Sequence, residues 1–159
     1  MKLSEHLELS EVIRSESAKR NGISNMPTAE HIENFKILAT KVFEPIREHF
    51  GVPIRISSGY RSKELNAIIK GASKTSDHCF GFAIDLDADG TSITNNEIFY
   101  FIKDNLNFKQ LIFEFPVNGQ ASWVHVSYDP KNLKNEILVA KKLYGKTVYI
   151  NYKTDADLI

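Results

Sequence analysis

Two β-rich runs, "QLIFEF" (110–115) and "SWVHVSY" (122–128), are joined by "PVNGQA" (116–121), and no other feature constrains the fold as tightly. The connection carries Asn118-Gly119, and an Asn-Gly pair between such runs signals an antiparallel hairpin. Two further runs, "EILVAKK" (136–142) and "TVYINY" (147–152), flank "LYGK" (143–146) and read as a second hairpin. The C-terminal part of the chain is therefore committed to a sheet.

The N-terminal part has a different period. Glu8 to Lys19 has weak helical character, and "NGISNMP" (21–27) is punctuated as a loop. Thr28 caps a predicted helix from Ala29 to about Phe50. Its residues Ile32, Phe35, Leu38, Ala39, Val42, Phe43 and Ile46 recur at three- and four-residue steps, the stripe of a core-packing helix. Pro45 is expected to kink its last turns. "VPIRISS" (52–58) alternates as a strand, and Ser62 to Ile69 is a short helix. Thr94 and Glu97 form a capping box opening a helix to about Leu106. Helices come mainly first and strands later, which predicts an α+β fold with a mostly antiparallel sheet packed with N-terminal helices.

The length of 159 residues suits one domain spanning 1–159. A formal net charge of zero argues against a broad nucleic-acid footprint, although Lys131 to Lys146 is locally basic. With one cysteine, Cys79, no intrachain disulfide can form. The charged N-terminus "MKLSEHLELSEVIRSES" has no apolar core of a secretory signal, so synthesis in the cytoplasm is expected. No apolar run approaches the roughly 20 residues of a membrane span. A monomer is expected.

The stretch "SDHCFGFAIDLD" (76–87) sets polar residues into an apolar run. His78 and Asp85 stand in H-x-x-G-x-A-x-D, with Gly81 permitting a bend between them. Ala83 and Asp85 share a strand face by the two-residue period, and a histidine just before the bend would face the same pocket. His125 lies between Val124 and Val126 and so points away from them, alongside Trp123 and Ser127. Two histidines and an aspartate match a catalytic zinc site, which uses three protein ligands and keeps a position for water. A structural role in the strand is the alternative for His125 taken singly.

The blocks "SSGYRSKELN" (57–66), "SDHCFGFAIDLD" and "WVHVSY" (123–128) together resemble the three motif blocks of the zinc D-Ala-D-Ala carboxypeptidase family. These are cell-wall peptidases that share a fold with vancomycin-resistance D,D-dipeptidases and the Hedgehog signalling domain. The likeness is greatest to short phage and prophage members, which also carry blocks like "SESAKRNGISNMP" (15–27) and "QLIFEF". It runs from about Leu9 to Tyr149. The resemblance implies zinc ligands at His78, Asp85 and His125, and a substrate-gripping arginine at Arg61. It implies a peptidoglycan stem peptide as substrate, cut at D-Ala-D-Ala or at a more internal bond. Action on the cell wall would follow release or delivery, as in an endolysin, or occur as a virion component. A guanidinium suits holding a carboxylate bidentately or polarising a carbonyl, while bracing a loop is the other reading of Arg61.

Some relatives place a Glu three residues before the last histidine or a His two before it. Ser122 and Trp123 stand there, and neither takes a proton from water. Glu114, sharing a face with Ile112 on the preceding strand, is the candidate general base, with orientation of His125 as its alternative role. Ser76 and Trp123 are candidate substrate contacts, against a turn role for Ser76 and packing for Trp123. Asp87 is a less favoured ligand than Asp85, Cys79 reads as a buried structural thiol, and Tyr60 as a brace for Arg61. His6, His31 and His49 receive no role. A wall-binding domain that keeps the zinc site without catalysis is the competing function, and a Hedgehog-like partner-binding domain is a third.

Overall fold

The computed structural model describes residues 1–159. Two short helices, α1 (Leu9–Ile13) and α2 (Glu16–Asn21), replace the weak helix expected at the start. The break falls where Ser15 turns out of α1 and caps α2, its side chain accepting from Ala18 N–H. Thr28 caps α3 (Ala29–Leu38) through His31 N–H, as its position predicts. The helix then continues through a π-helical turn, Ala39–Phe43, into α4 (Glu44–Phe50). Pro45 has no N–H to donate. The hydrogen bonding shifts just upstream of it, with Glu44 N–H reaching Ala39 O, so the rod passes through the proline without breaking.

Strand β1 is shorter than the alternation suggests, Arg55–Ser58, because Pro53 contributes no donor to a ladder. After it come α5 (Lys63–Ile68), capped by Ser62, and a 3₁₀ turn at Asp77–Phe80. Strand β2 (Ala83–Asp87) follows, then α6 (Asn95–Asn105), opened by the Thr94–Glu97 box. The remaining strands are β3 (Gln110–Glu114), β4 (Trp123–Ser127), β5 (Glu136–Leu143) and β6 (Lys146–Asn151). They form one six-stranded sheet in the order β1-β2-β4-β3-β5-β6. Every pairing is antiparallel except β3 with β5. Both predicted hairpins are present, and the fold is α+β with a mostly antiparallel sheet. No helix is long and apolar enough to cross a membrane.

The register divides the sheet into two faces. Ile84, Leu86, Leu111, Phe113, Val124, Val126 and Val139 join Phe35, Leu38, Val42, Ile46, Ile98 and Phe99 in one buried core, sealing that face against the helices. The opposite face carries the partners in register Asp85–His125, Ile112–His125 and Glu114–Trp123. Alternation thus sends apolar residues to the core and the chemistry-bearing residues to the other side.

Candidate metal centre and active site

The 3₁₀ turn and β2 deliver the first two donors. The run 76–87 is not one strand: its first half winds through Asp77–Phe80, and Gly81 ends the turn at φ 75 before β2 begins. A side chain at Gly81 would place its Cβ 2.3 Å from His31 O. Both the left-handed backbone and the contact with α3 therefore demand glycine. Gly81→Ala is expected to destabilise the fold by roughly 2–4 kcal/mol, read as a lowered urea midpoint. An unchanged midpoint would mean that α3 and the turn can separate freely.

Gly59 orients His78. The Gly59 carbonyl accepts a hydrogen bond from His78 Nδ1 at 2.6 Å, which leaves the Nε2 lone pair facing the site. Gly59 itself is pressed onto α1, where an added Cβ would lie 2.4 Å from Val12 O. A β-bulge between Ile56 and Ser58 sets Ser58 opposite Asp85, and Ser57 Oγ donates to Asp85 O at 3.3 Å.

The three donors converge. His125 Nδ1 lies 2.9 Å from Asp85 Oδ1 and 3.2 Å from His78 Nε2, and His78 Nε2 lies 3.4 Å from Asp85 Oδ1. Ligands held at about 2.0–2.1 Å around a tetrahedral zinc stand about 3.3 Å apart. The triangle has that size, and two imidazoles with one carboxylate are the donor types zinc takes. All three residues are buried. The charges reflect the crowding. Burial pushes the His78 ring towards its neutral form against the pull of Asp85. Burial also opposes ionisation of Asp85, but the adjacent His78 and the contact with His125 outweigh it; burial opposes protonation of His125, and there the contact with Asp85 outweighs it. Asp85 is held well below the usual carboxylate range, and His125 is raised.

The other predicted residues surround this centre. A cleft of about 1010 Å³ is lined by the three donors together with Arg61, Ser76, Glu114 and Trp123. Glu114 is 7% exposed and diagonal to His125 across the β3–β4 ladder. Burial pushes its carboxyl up to about 7, with His125 and Arg61 pulling it down and Asp85 adding to the rise. Arg61 is fixed by its backbone N–H to His78 O at 3.1 Å. One of its terminal nitrogens approaches Asn66 at 3.5 Å, while its buried Nε has no protein partner. Ser76 precedes the 3₁₀ turn without capping it, and Trp123 packs on Phe115 with ring centroids 5.3 Å apart.

Asp87 turns to an ion pair with Arg55 instead of the donor triangle. Cys79 is buried outside the triangle, and burial raises its thiol pKa. Tyr60 braces the Arg61 loop, its buried ring reaching His31 at 3.2 Å while its N–H donates to Val12 O. The remaining histidines serve the scaffold: His6 pairs with Glu44 at 2.7 Å, and His49 stacks on Phe101. Sequence reasoning missed the Asp77–Lys109 ion pair, 2.6 Å long, at the edge of the cleft. It also missed Lys142, Thr147 and Tyr149, which reach the cleft from β5 and β6. Strand alternation could have placed them on that face, but no motif marks them.

The comparison with curated proteins returns no match. The model of the peptidase M15 family matches residues 5–127, a span that contains all three donors, Arg61 and Glu114. With more than half its length matched, the chain belongs to the peptidase M15 family, a family of zinc-dependent metallopeptidases.

Proposed function

We propose that the protein hydrolyses an amide bond in peptidoglycan stem peptides, with His78, Asp85 and His125 holding Zn²⁺, Glu114 as general base and Arg61 as the substrate clamp. The observation that carries this reading is the donor triangle, sized for zinc, with an otherwise unpaired buried carboxylate on the same sheet face. Zinc bound there supplies Lewis acidity, activating water and polarising the scissile carbonyl. Gly59, through His78 Nδ1, keeps the Nε2 lone pair turned towards His125 and Asp85, where it would be free to hold the metal. Asp85 contributes the negative charge that partly neutralises it.

Glu114 does the proton work. Its carboxylate takes a proton from the attacking water and returns it to the nitrogen of the leaving amine. The absence of any protein hydrogen bond to that carboxylate supports the role, because its oxygens are left for water and substrate. The unpartnered Arg61 Nε supports a clamp that closes only on a substrate carboxylate or carbonyl. The base must be ionised, so kcat/KM rises with pH through the Glu114 pKa. A bound dication lowers that value, and the acid limb is expected below about 7.

The deciding experiment is mass spectrometry of purified muropeptides digested with zinc-loaded protein. New amine ends are expected, lost on full chelation and restored by zinc. Their position names the bond. Activity that survives complete metal removal would overturn the mechanism. Binding to sacculi with zinc present and no new ends would identify a wall-binding module instead.

A further inference from the structure

The β5–β6 hairpin lies beyond the residues matched by the family model, yet it builds one wall of the cleft. Glu114 is opposite Ala140 in the parallel β3–β5 pair, and Lys142 follows two residues later on the same face, paired in register with Thr147. The Lys142 ammonium is held in place. Its Nζ donates to Thr147 Oγ1 at 2.8 Å and lies 5.4 Å from the Phe115 ring centroid. Lysine has three donors, and Thr147 takes only one of them. Lys109, by contrast, is already closed by Asp77.

The platform beneath Lys142 is built at a cost. Phe115 sits at φ 45, a conformation that bulky residues avoid. It is held there by its N–H donating to Ala140 O at 2.8 Å and its carbonyl accepting from Ser122 Oγ at 2.7 Å. This turn brings the ring against Trp123 and under the lysine. Backbone strain kept at the mouth of a cleft points to a functional placement. Along the sheet order, Arg61 follows β1 at one end and Lys142 stands on β5 near the other, with Asp85, His125 and Glu114 on the strands between.

We propose that Lys142, on its Phe115–Trp123 platform, determines specificity by binding a substrate carboxylate on the side of the scissile amide opposite to Arg61. The substrate class is then a peptide with an acidic group on each side of the cut. This rests on the peptidase reading, but it is tested through binding as well as turnover.

The test uses three peptides: L-Ala-γ-D-Glu-L-Lys-D-Ala-D-Ala, the same peptide with the glutamate α-carboxyl as carboxamide, and the same peptide with a C-terminal carboxamide. Each is measured with zinc-loaded protein by kcat/KM and by quenching of Trp123, the sole tryptophan. Lys142→Gln is expected to erase the preference for one of the two carboxylates, a change of about fivefold, and to keep the other. Lys142→Arg is expected to retain both. The fluorescence titration reports the same loss even if no peptide is cleaved, so failure of the peptidase reading is distinguishable. Lys142→Gln that keeps both preferences, or weakens all three peptides alike, overturns the proposal. No Trp123 response to any of the three overturns it too.

Discussion

Glu114→Gln is expected to cut kcat by roughly three orders of magnitude while the protein still takes up one zinc per chain. The glutamine fits the same volume but cannot accept the proton of the attacking water. Metal content by mass spectrometry and turnover on muropeptides, measured on one preparation, separate the two effects. Unchanged turnover would place the base elsewhere. A second signature accompanies the loss. In the metal-free fold Glu114 is raised to about 7 from a usual value of 4.5. The native state therefore holds a proton that the unfolded chain releases, and stability falls as pH rises between those values. Glutamine has no such penalty. The variant should be the more stable protein above pH 7, on the order of 2 kcal/mol in metal-free urea unfolding, and should match the wild type below about pH 4.5. A substitution that stabilises the fold and abolishes turnover is what a functional carboxylate in a dry site produces.

Asp85→Asn should weaken zinc binding by at least about 100-fold, since even partners that only orient ligands are worth 10–100-fold. Turnover at micromolar zinc falls with it. The metal-free protein suffers as well, because His125 loses the carboxylate that raises its pKa. Removing one member of a buried pair costs about 3–5 kcal/mol. The sign with pH is set by the depression of Asp85. Its contribution is complete above the unfolded carboxylate value near 3.9 and is lost as pH falls through the lower folded value. Titration calorimetry with zinc and urea unfolding at pH 7 and pH 3 read both effects. Wild-type affinity in this variant would remove Asp85 from the ligand set.

Much of this was legible because the relevant signals are local. The Asn118-Gly119 turn, the alternation of Val124, His125 and Val126, and the Thr94–Glu97 box each depend on a few neighbouring residues, and each is found in the fold. The convergence of His78 with Asp85 was readable from Gly81, since only a bend brings both to one side. What escaped depends on partners distant in sequence. Lys142 meets Phe115 only because β5 adds in parallel to β3, a pairing that no turn signal announces. The hydrogen bond from His78 to Gly59 needs β1 laid against the 3₁₀ turn. The length of β1 and the π-helical turn were misjudged for a simpler reason. A proline's missing donor reshapes the bonding of its neighbours, and apolar periodicity is blind to that.

The two-faced sheet has a consequence for how such a protein can diversify. In β2 and β4 the odd-numbered residues (Asp85, Trp123, His125) face the cleft and the even-numbered ones (Ile84, Leu86, Val124, Val126) face the core. In β3 the parity is reversed, with Ile112 and Glu114 facing the cleft. The two sets share a backbone but hardly touch each other's environment. Away from the buried Asp85–His125 pair, selection can rewrite the cleft face, including the lysine wall, one residue at a time without disturbing the apolar core. A slip of a single position in any of these strands would instead exchange the two sets and forfeit both at once.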